Sequence, residues 1–242
     1  MKNLKEKVIH MMFPRRCPFC DRVQFQSLLF EVSPVCTTCE KKLEYVKEPV
    51  CKKCGKPIEN EQQEYCYDCK KHNKEYQQGK AVWVHKDEVK SSIYRFKYQN
   101  RQEYARYYAQ EIVRIYGRWI TSCCVDGIVP IPIHKSKRRQ RGYNQAELIA
   151  REIGRTMGIA VYPDLLIRVR KTKAQKELNE QERKKNLKKA FIAKENKVQL
   201  SYILLVDDIY TTGSTMNEAA HELKSTGVTG VYCICVSIGR GY

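Results

Sequence analysis

The stretch Tyr202-Ile203-Leu204-Leu205-Val206-Asp207-Asp208-Ile209-Tyr210-Thr211-Thr212-Gly213-Ser214-Thr215 decides the fold. Tyr202–Val206 is short, apolar and β-branched, the pattern of a buried strand. Asp207 and Asp208 follow it, and a turn leads into a helix with Met216, Ala219, Ala220 and Leu223 on one face and a stop at Gly227. Backbone N–H groups at a helix start carry partial positive charge, and glycine lets the chain approach an anion closely. Thr211, Thr212, Ser214 and Thr215 add hydroxyl donors around Gly213, so the turn suits a phosphate monoester. A helix cap needs only one such residue, whereas seven of the nine positions from Asp207 to Thr215 are polar or glycine. This is not a Walker loop, because no lysine follows the glycine and the Gly-x4-Gly-Lys spacing is missing. The paired carboxylates suit neighbouring sugar hydroxyls, or a divalent cation shared with phosphate oxygens.

The rest of the C-terminal part repeats the strand-then-helix alternation. Val125–Ile133 is β-rich; Lys135–Gly142 follows as a basic, glycine-containing loop with Lys135, Lys137, Arg138, Arg139 and Arg141; a helix then runs from about Asn144 to Met157 with Ala146, Ile149, Ala150, Ile153 and Met157 on one face. Val231–Ile238 is a last strand. Ala81–His85 is a further strand, and Asp87–Tyr98 and Arg101–Trp119 read as helices, the second with Tyr104, Tyr108, Ile112, Ile115 and Trp119 as a half-buried stripe. Such alternation predicts an α/β domain with a parallel sheet and a ligand site at the carboxyl ends of its strands. Arg168–Ala190 carries few apolar residues and reads as an exposed hairpin or mobile loop.

Upstream the composition changes. Cysteines fall as Cys17-x2-Cys20, Cys36-x2-Cys39, Cys51-x2-Cys54 and Cys66-x2-Cys69, with 15, 11 and 11 residues between pairs. Two cysteines three apart can approach one ion from a single tight turn, and tetrahedral zinc takes four thiolates. Sequential combination gives one site from Cys17, Cys20, Cys36 and Cys39 and another from Cys51, Cys54, Cys66 and Cys69. An interleaved pairing is geometrically possible, but the near-equal gaps favour the sequential one. With four protein ligands each, both zinc ions would be structural. His72 is a bystander to a complete ligand set, and Cys123, Cys124, Cys233 and Cys235 read as core thiols. The polar segment Lys70–Lys80 marks the boundary, dividing the chain into residues 1–76 and 77–242.

At 242 residues, 42% hydrophobic and 30% charged, the chain is of soluble globular type. No apolar run approaches the ~18 residues of a membrane span, which excludes membrane insertion. The apolar patch Val8–Phe13 is broken by His10 and followed by Pro14, Arg15 and Arg16, unlike a secretory signal. Both features place the chain in the cytoplasm, where clustered cysteines read first as metal ligands. The net charge of +18 is unevenly spread: residues 135–189 hold 17 Lys and Arg against 6 Asp and Glu, whereas residues 1–80 hold 16 against 11. The excess therefore surrounds the phosphate turn, and its size fits a polyanionic partner such as single-stranded DNA. Tyr98, Tyr104, Tyr107, Tyr108 and Tyr143 are candidate stacking platforms for unpaired bases.

The Asp207–Thr215 segment resembles the phosphoribosyl-pyrophosphate loop of type I phosphoribosyltransferases. Together with Pro130-Ile131-Pro132, Arg141-Gly142-Tyr143-Asn144-Gln145-Ala146, and Arg168, Thr172, Gln175, Leu178, Arg183, Asn186 and Ala190-Phe191, it is similar to the ComF family of competence and DNA-uptake proteins. The resemblance implies an α/β fold: a type I phosphoribosyltransferase-like parallel-sheet domain preceded by a small double zinc-ribbon domain. It implies phosphoribosyl pyrophosphate held with Mg²⁺ at Asp207 and Asp208, its phosphate at Thr211–Thr215, and its pyrophosphate on Lys135–Gly142 with Asn144 and Gln145. A mobile hood would carry Arg168, Thr172, Gln175, Arg183 and Asn186. The implied setting is the handling of incoming single-stranded DNA in natural transformation, with the uptake helicase and the recombination mediator as partners. Either an active transferase with an unidentified acceptor or a catalytically silent ligand-sensing or nucleic-acid-binding adaptor fits that setting.

Overall fold

The computed structural model describes residues 15–24, 33–170 and 190–240. Its main sheet contains β1 (Gln78–Val84), β2 (Gly127–Pro130), β5 (Tyr202–Tyr210) and β6 (Gly230–Ile238) in the order β1-β6-β5-β2. Every neighbouring pair is parallel, in register from Gln78 with Tyr232, from Tyr202 with Gly230 and from Gly127 with Ile203. Parallel strands need crossover connections. They are supplied by α3 (Asp87–Tyr98) and α4 (Tyr104–Ser122) after β1, by α5 (Lys135–Arg141) and α6 (Gln145–Met157) after β2, and by α7 (Ser214–Lys224) after β5. A small antiparallel pair, β3 (Leu166–Arg168) with β4 (Phe191–Ala193), lies beside α7.

Both sheet faces are covered, which is why β5 and β6 read as near-continuous apolar runs. On one face Ile203, Leu205 and Cys235 pack with Met216, Ala219 and Leu223 of α7 and with Phe191. On the other, Leu204, Val206 and Ile234 pack with Ile93 and Phe96 of α3, Tyr108 of α4 and Ile149 of α6. The cysteine region joins both cores: Cys54 and Cys66 belong to the first, Cys17, Phe19 and Cys39 to the second. Two short helices, α1 (Thr37–Glu40) and α2 (Tyr67–Lys71), carry the Cys39 and Cys69 ends of its knuckles. The segment around Tyr45 also pairs with β1, through Val46 N–H to the Val82 carbonyl (2.9 Å) and Val84 N–H to the Glu44 carbonyl (2.8 Å).

Several sequence expectations need correction. Lys135–Arg141 is a helix rather than a loop: its Lys, Arg and Gln residues favour helix, the His134 ring accepts from the Ser136 N–H, and Gly142 ends it at φ +83°. In α4 the inward stripe runs at every fourth residue through Tyr104, Tyr108, Ile112, Tyr116 and Ile120, which leaves Ile115 exposed. Cys123, Cys233 and Cys235 are buried, but Cys124 is exposed where the chain leaves α4 at φ +48°. Tyr104, Tyr107, Tyr108 and Tyr143 are core residues with rings packed on one another and on Trp83 and Phe96, so of the five named tyrosines Tyr98 alone offers an open face. Most of the segment 169–190 lies outside the described residues.

Candidate functional site

Asp207 and Asp208 occupy the carboxyl end of β5, next to the end of β2, where Ile131 N–H donates to the Val206 carbonyl at 2.9 Å. This is where an open parallel sheet collects its ligands. Successive strand residues point to opposite faces, so the two carboxylates meet different neighbours. Asp208 is buried and forms a 2.7 Å ion pair with the Lys97 ammonium at the end of α3. Its N–H donates to Asp207 Oδ1 at 2.8 Å. Burial pushes the Asp207 carboxyl up to about 7, and the Asp208 charge adds to this, while Lys97 and Arg168 oppose it.

The turn beyond them is closely packed. Gly213 caps α7 at φ +76°, and a Cβ there would lie 2.0 Å from the Tyr210 hydroxyl oxygen. Only glycine meets both conditions. Thr212 Oγ1 and Ser214 Oγ are 2.8 Å apart, Thr211 is exposed, and Asp207, Thr211, Gly213 and Thr215 line a hollow of about 10 Å³ at the turn. That hollow has room for about one water-sized group.

Cations face this end of the sheet from three elements. Lys137 and Arg141 stand one turn apart on α5, both partly buried. Burial lowers the Lys137 ammonium's affinity for its proton, and the nearby charges of Arg168, Arg141 and Lys97 lower it further, which places four cations in one field. Arg168 ends β3, its guanidinium 5.3 Å from the Phe191 ring centre. Arg141 donates to Gln145 Oε1 (2.9 Å) and to the Tyr98 hydroxyl (3.1 Å), its guanidinium 4.8 Å from the Tyr98 ring centre. Asn144 donates to the Ile131 carbonyl at 3.0 Å and so ties the start of α6 to the end of β2. Lys135, Arg138 and Arg139 are exposed, and Arg138 pairs with Glu147 at 3.2 Å. Thr172, Gln175, Arg183 and Asn186 lie outside the described residues.

Lys97 is the site residue that sequence reading missed. Its signal was faint but present: Val89, Ile93 and Phe96 make the buried face of α3, and Lys97, four residues after Ile93, places a charge at the end of that apolar stripe. Beside it opens a cleft of about 200 Å³ lined by Lys97, Tyr98, Asn100, Gln140 and Arg141.

The cysteines gather as two tetrads, Cys17, Cys20, Cys36 and Cys39, and Cys51, Cys54, Cys66 and Cys69, with the sulfurs of each within 4.8 Å of one another. Tetrahedral zinc at about 2.3 Å from each thiolate puts sulfurs roughly 3.8 Å apart. Cys20 and Cys36 Sγ are 3.7 Å apart, and Cys54 and Cys66 Sγ 3.6 Å, so both tetrads fit structural zinc, with the pairing sequential.

Residues 8–70 match the double zinc ribbon domain and residues 140–241 the phosphoribosyl transferase domain. The chain is 36% identical over 141 residues to competence protein F of Haemophilus influenzae, covering 56% of this chain and 62% of that protein. It is 33% identical over 148 residues to the DNA utilization protein YhgH of Salmonella typhimurium (59% and 65%), and 29% identical over 156 residues to competence protein ComFC of Bacillus subtilis (62% and 60%). The chain thus spans less than two thirds of the length of these curated relatives. It carries a double zinc ribbon ahead of a phosphoribosyl transferase domain and is similar to proteins named for competence and DNA utilization.

Proposed function

We propose that this protein binds phosphoribosyl pyrophosphate with Mg²⁺ and acts on, or alongside, single-stranded DNA taken up by the cell. The observation that carries the reading is the position of Asp207 and Asp208 directly before a glycine turn rich in hydroxyls, faced by Lys97, Lys137, Arg141 and Arg168. In this reading the 5-phosphate rests on Thr211–Thr215 and the ribose hydroxyls donate to the carboxylates. Lys137 and Arg141 meet the pyrophosphate. Mg²⁺, held by the pyrophosphate with Asp207 or Asp208, would offset charge on the leaving group. The chain's own part is to bind, orient and exclude water around the anomeric carbon, since a transfer through an oxocarbenium-like state needs charge stabilisation more than a strong nucleophile.

The DNA role is supported by the names of the relatives and by the surface beside the site. Tyr94 and Tyr98 are 57% and 56% exposed with ring centres 5.0 Å apart, and Arg141 covers part of Tyr98. Aromatic and guanidinium faces of this kind stack on unpaired bases. We assign the implied helicase and recombination mediator as partners, the cytoplasm as location, and 1–76 and 77–242 as the two functional parts. Among the described residues no helix is long and apolar enough to cross a membrane.

A second reading, a silent binding module, is favoured by one contact: Lys97 already neutralises Asp208, which lowers that carboxylate's call for a metal ion. Pyrophosphate release against a panel of bases, nucleotides and DNA ends separates the two. Release with any acceptor supports the transferase; tight binding without release supports the silent module.

A further inference from the structure

After α2 ends at Lys71, the chain passes under the phosphate turn before entering β1, and three consecutive residues grip the turn and its helix. The Lys74 ammonium donates to the Thr212 carbonyl at 3.1 Å. The Glu75 N–H donates to Asn217 Oδ1 at 2.7 Å, and its carboxylate lies 3.8 Å from Lys224 and 3.9 Å from His221, both on α7. The Tyr76 hydroxyl meets the Tyr210 hydroxyl at 2.6 Å, both rings buried. Tyr210 is the side chain that lies against Gly213.

This segment is continuous with the second cysteine tetrad. Cys54 and Cys66 share an apolar cluster with Tyr76, Tyr210 and Met216, and Gly79 N–H donates to the Lys53 carbonyl at 2.8 Å beside that knuckle. Lys56, paired with Asp68 at 2.6 Å, sits 6.0 Å from the Tyr210 ring centre. The first tetrad packs elsewhere: Ser92 and Arg95 of α3 donate to the Pro18 and Phe19 carbonyls, and Phe19 packs edge-on against Trp83.

We infer that Lys74, Glu75 and Tyr76 form a strap through which the second zinc ribbon positions the phosphate turn. A trans peptide is planar, with C=O and N–H on opposite sides. A lysine holding the Thr212 carbonyl toward the strap therefore aims the Gly213 N–H away from it, toward the open side of the turn. The hydroxyl pair sets the floor on which Gly213 rests, and Glu75 fixes the first and last turns of α7. Fixing these groups in the unbound protein removes an ordering cost from ligand binding. The strap residues are positioning residues, and the inference rests on reading the turn as a phosphate site.

Amide hydrogen exchange on the zinc-loaded full chain tests it without depending on a ligand. Lys74→Met and Tyr76→Phe should each speed exchange at residues 211–216 by about tenfold, the scale of one lost internal hydrogen bond, with Lys74→Arg restoring protection. Cys66→Ser with Cys69→Ser should remove one zinc and have the same local effect. Cys36→Ser with Cys39→Ser should remove one zinc and leave these amides within about twofold of wild type. Unaltered exchange at 211–216 in both Lys74→Met and Tyr76→Phe would overturn the strap. Titration with ribose 5-phosphate separates this from the site assignment: weaker binding in Lys74→Met supports both, whereas faster exchange in a protein that binds no ribose 5-phosphate supports the strap and defeats the phosphate reading.

Discussion

The Lys97 ammonium lies 2.7 Å from the Asp208 carboxylate, with side chains 19% and 8% exposed, so a charge pair closes the inner end of the candidate site. Removing one member of a buried pair leaves the other charged and poorly hydrated. Lys97→Met is therefore expected to lower stability on the order of 3 kcal/mol, while Lys97→Met with Asp208→Asn should cost much less than the sum of the single changes. Chemical denaturation of the four proteins measures this coupling, and strict additivity would show that the pair contributes nothing.

Asp207 gives the site a pH dependence. It keeps its proton in the fold up to about pH 7, whereas an unfolded aspartate loses it near pH 4. The folded state thus holds the extra proton between those values, so this group's contribution to stability is present at low pH and is lost as pH rises toward about 7. Ligand hydroxyls and cations need the ionised carboxylate. Affinity for Mg²⁺-phosphoribosyl pyrophosphate should therefore rise between about pH 6 and pH 8, and Asp207→Asn should flatten the rise. A wild-type profile that stays level across that range would remove Asp207 from the binding step.

Gly213 tolerates no side chain, because its φ of +76° and the Tyr210 hydroxyl both stand against a Cβ. Gly213→Ala is expected to cost roughly 1–3 kcal/mol in thermal or chemical unfolding. Tyr210→Phe in the same chain should recover only part of it, since the backbone strain remains.

Much of this was legible in the sequence, and each miss has a physical cause. The cysteine pairing followed from spacing, because a knuckle is a local turn. Strand β5, its carboxylates and helix α7 followed from one uninterrupted pattern, Tyr202–Leu223. What escaped was long-range: Lys97 against Asp208 is 111 positions away, and Tyr76 against Tyr210 is 134. No periodicity encodes such contacts. Lys135–Arg141 was misread because Gly142 resembles a loop glycine when it in fact terminates a helix. The tyrosines of α4 read both as a half-buried stripe and as candidate stacking groups, because a tyrosine stripe has the same spacing whether it faces a base or a core; their burial bears out the stripe.

The proposed DNA-binding role of the face around Tyr98 makes a selective prediction. Tyr98→Ala should weaken single-stranded DNA binding by about 1–3 kcal/mol with little change in salt dependence. Replacing Lys137, Arg138, Arg139 and Arg141 by Ala should reduce both affinity and the slope against salt. Tyr104→Ala should act through folding, since that ring is buried. Fluorescence anisotropy at several salt concentrations distinguishes these effects, and equal affinity for all variants at low salt would take DNA away from this face.

Each tetrad predicts one zinc, so elemental analysis should find two per chain and one in either double cysteine variant. One zinc in the wild type would contradict the double ribbon as a metal-binding unit.

The central claim is that the turn after β5 binds phosphoribosyl pyrophosphate through the paired aspartates. Calorimetric titration of this ligand with Mg²⁺ into the zinc-loaded chain, beside Asp207→Asn with Asp208→Asn, tests it most directly. Saturable one-site binding in the wild type and its loss in the variant is the predicted result; no binding in the wild type, or equal binding in both, would contradict it.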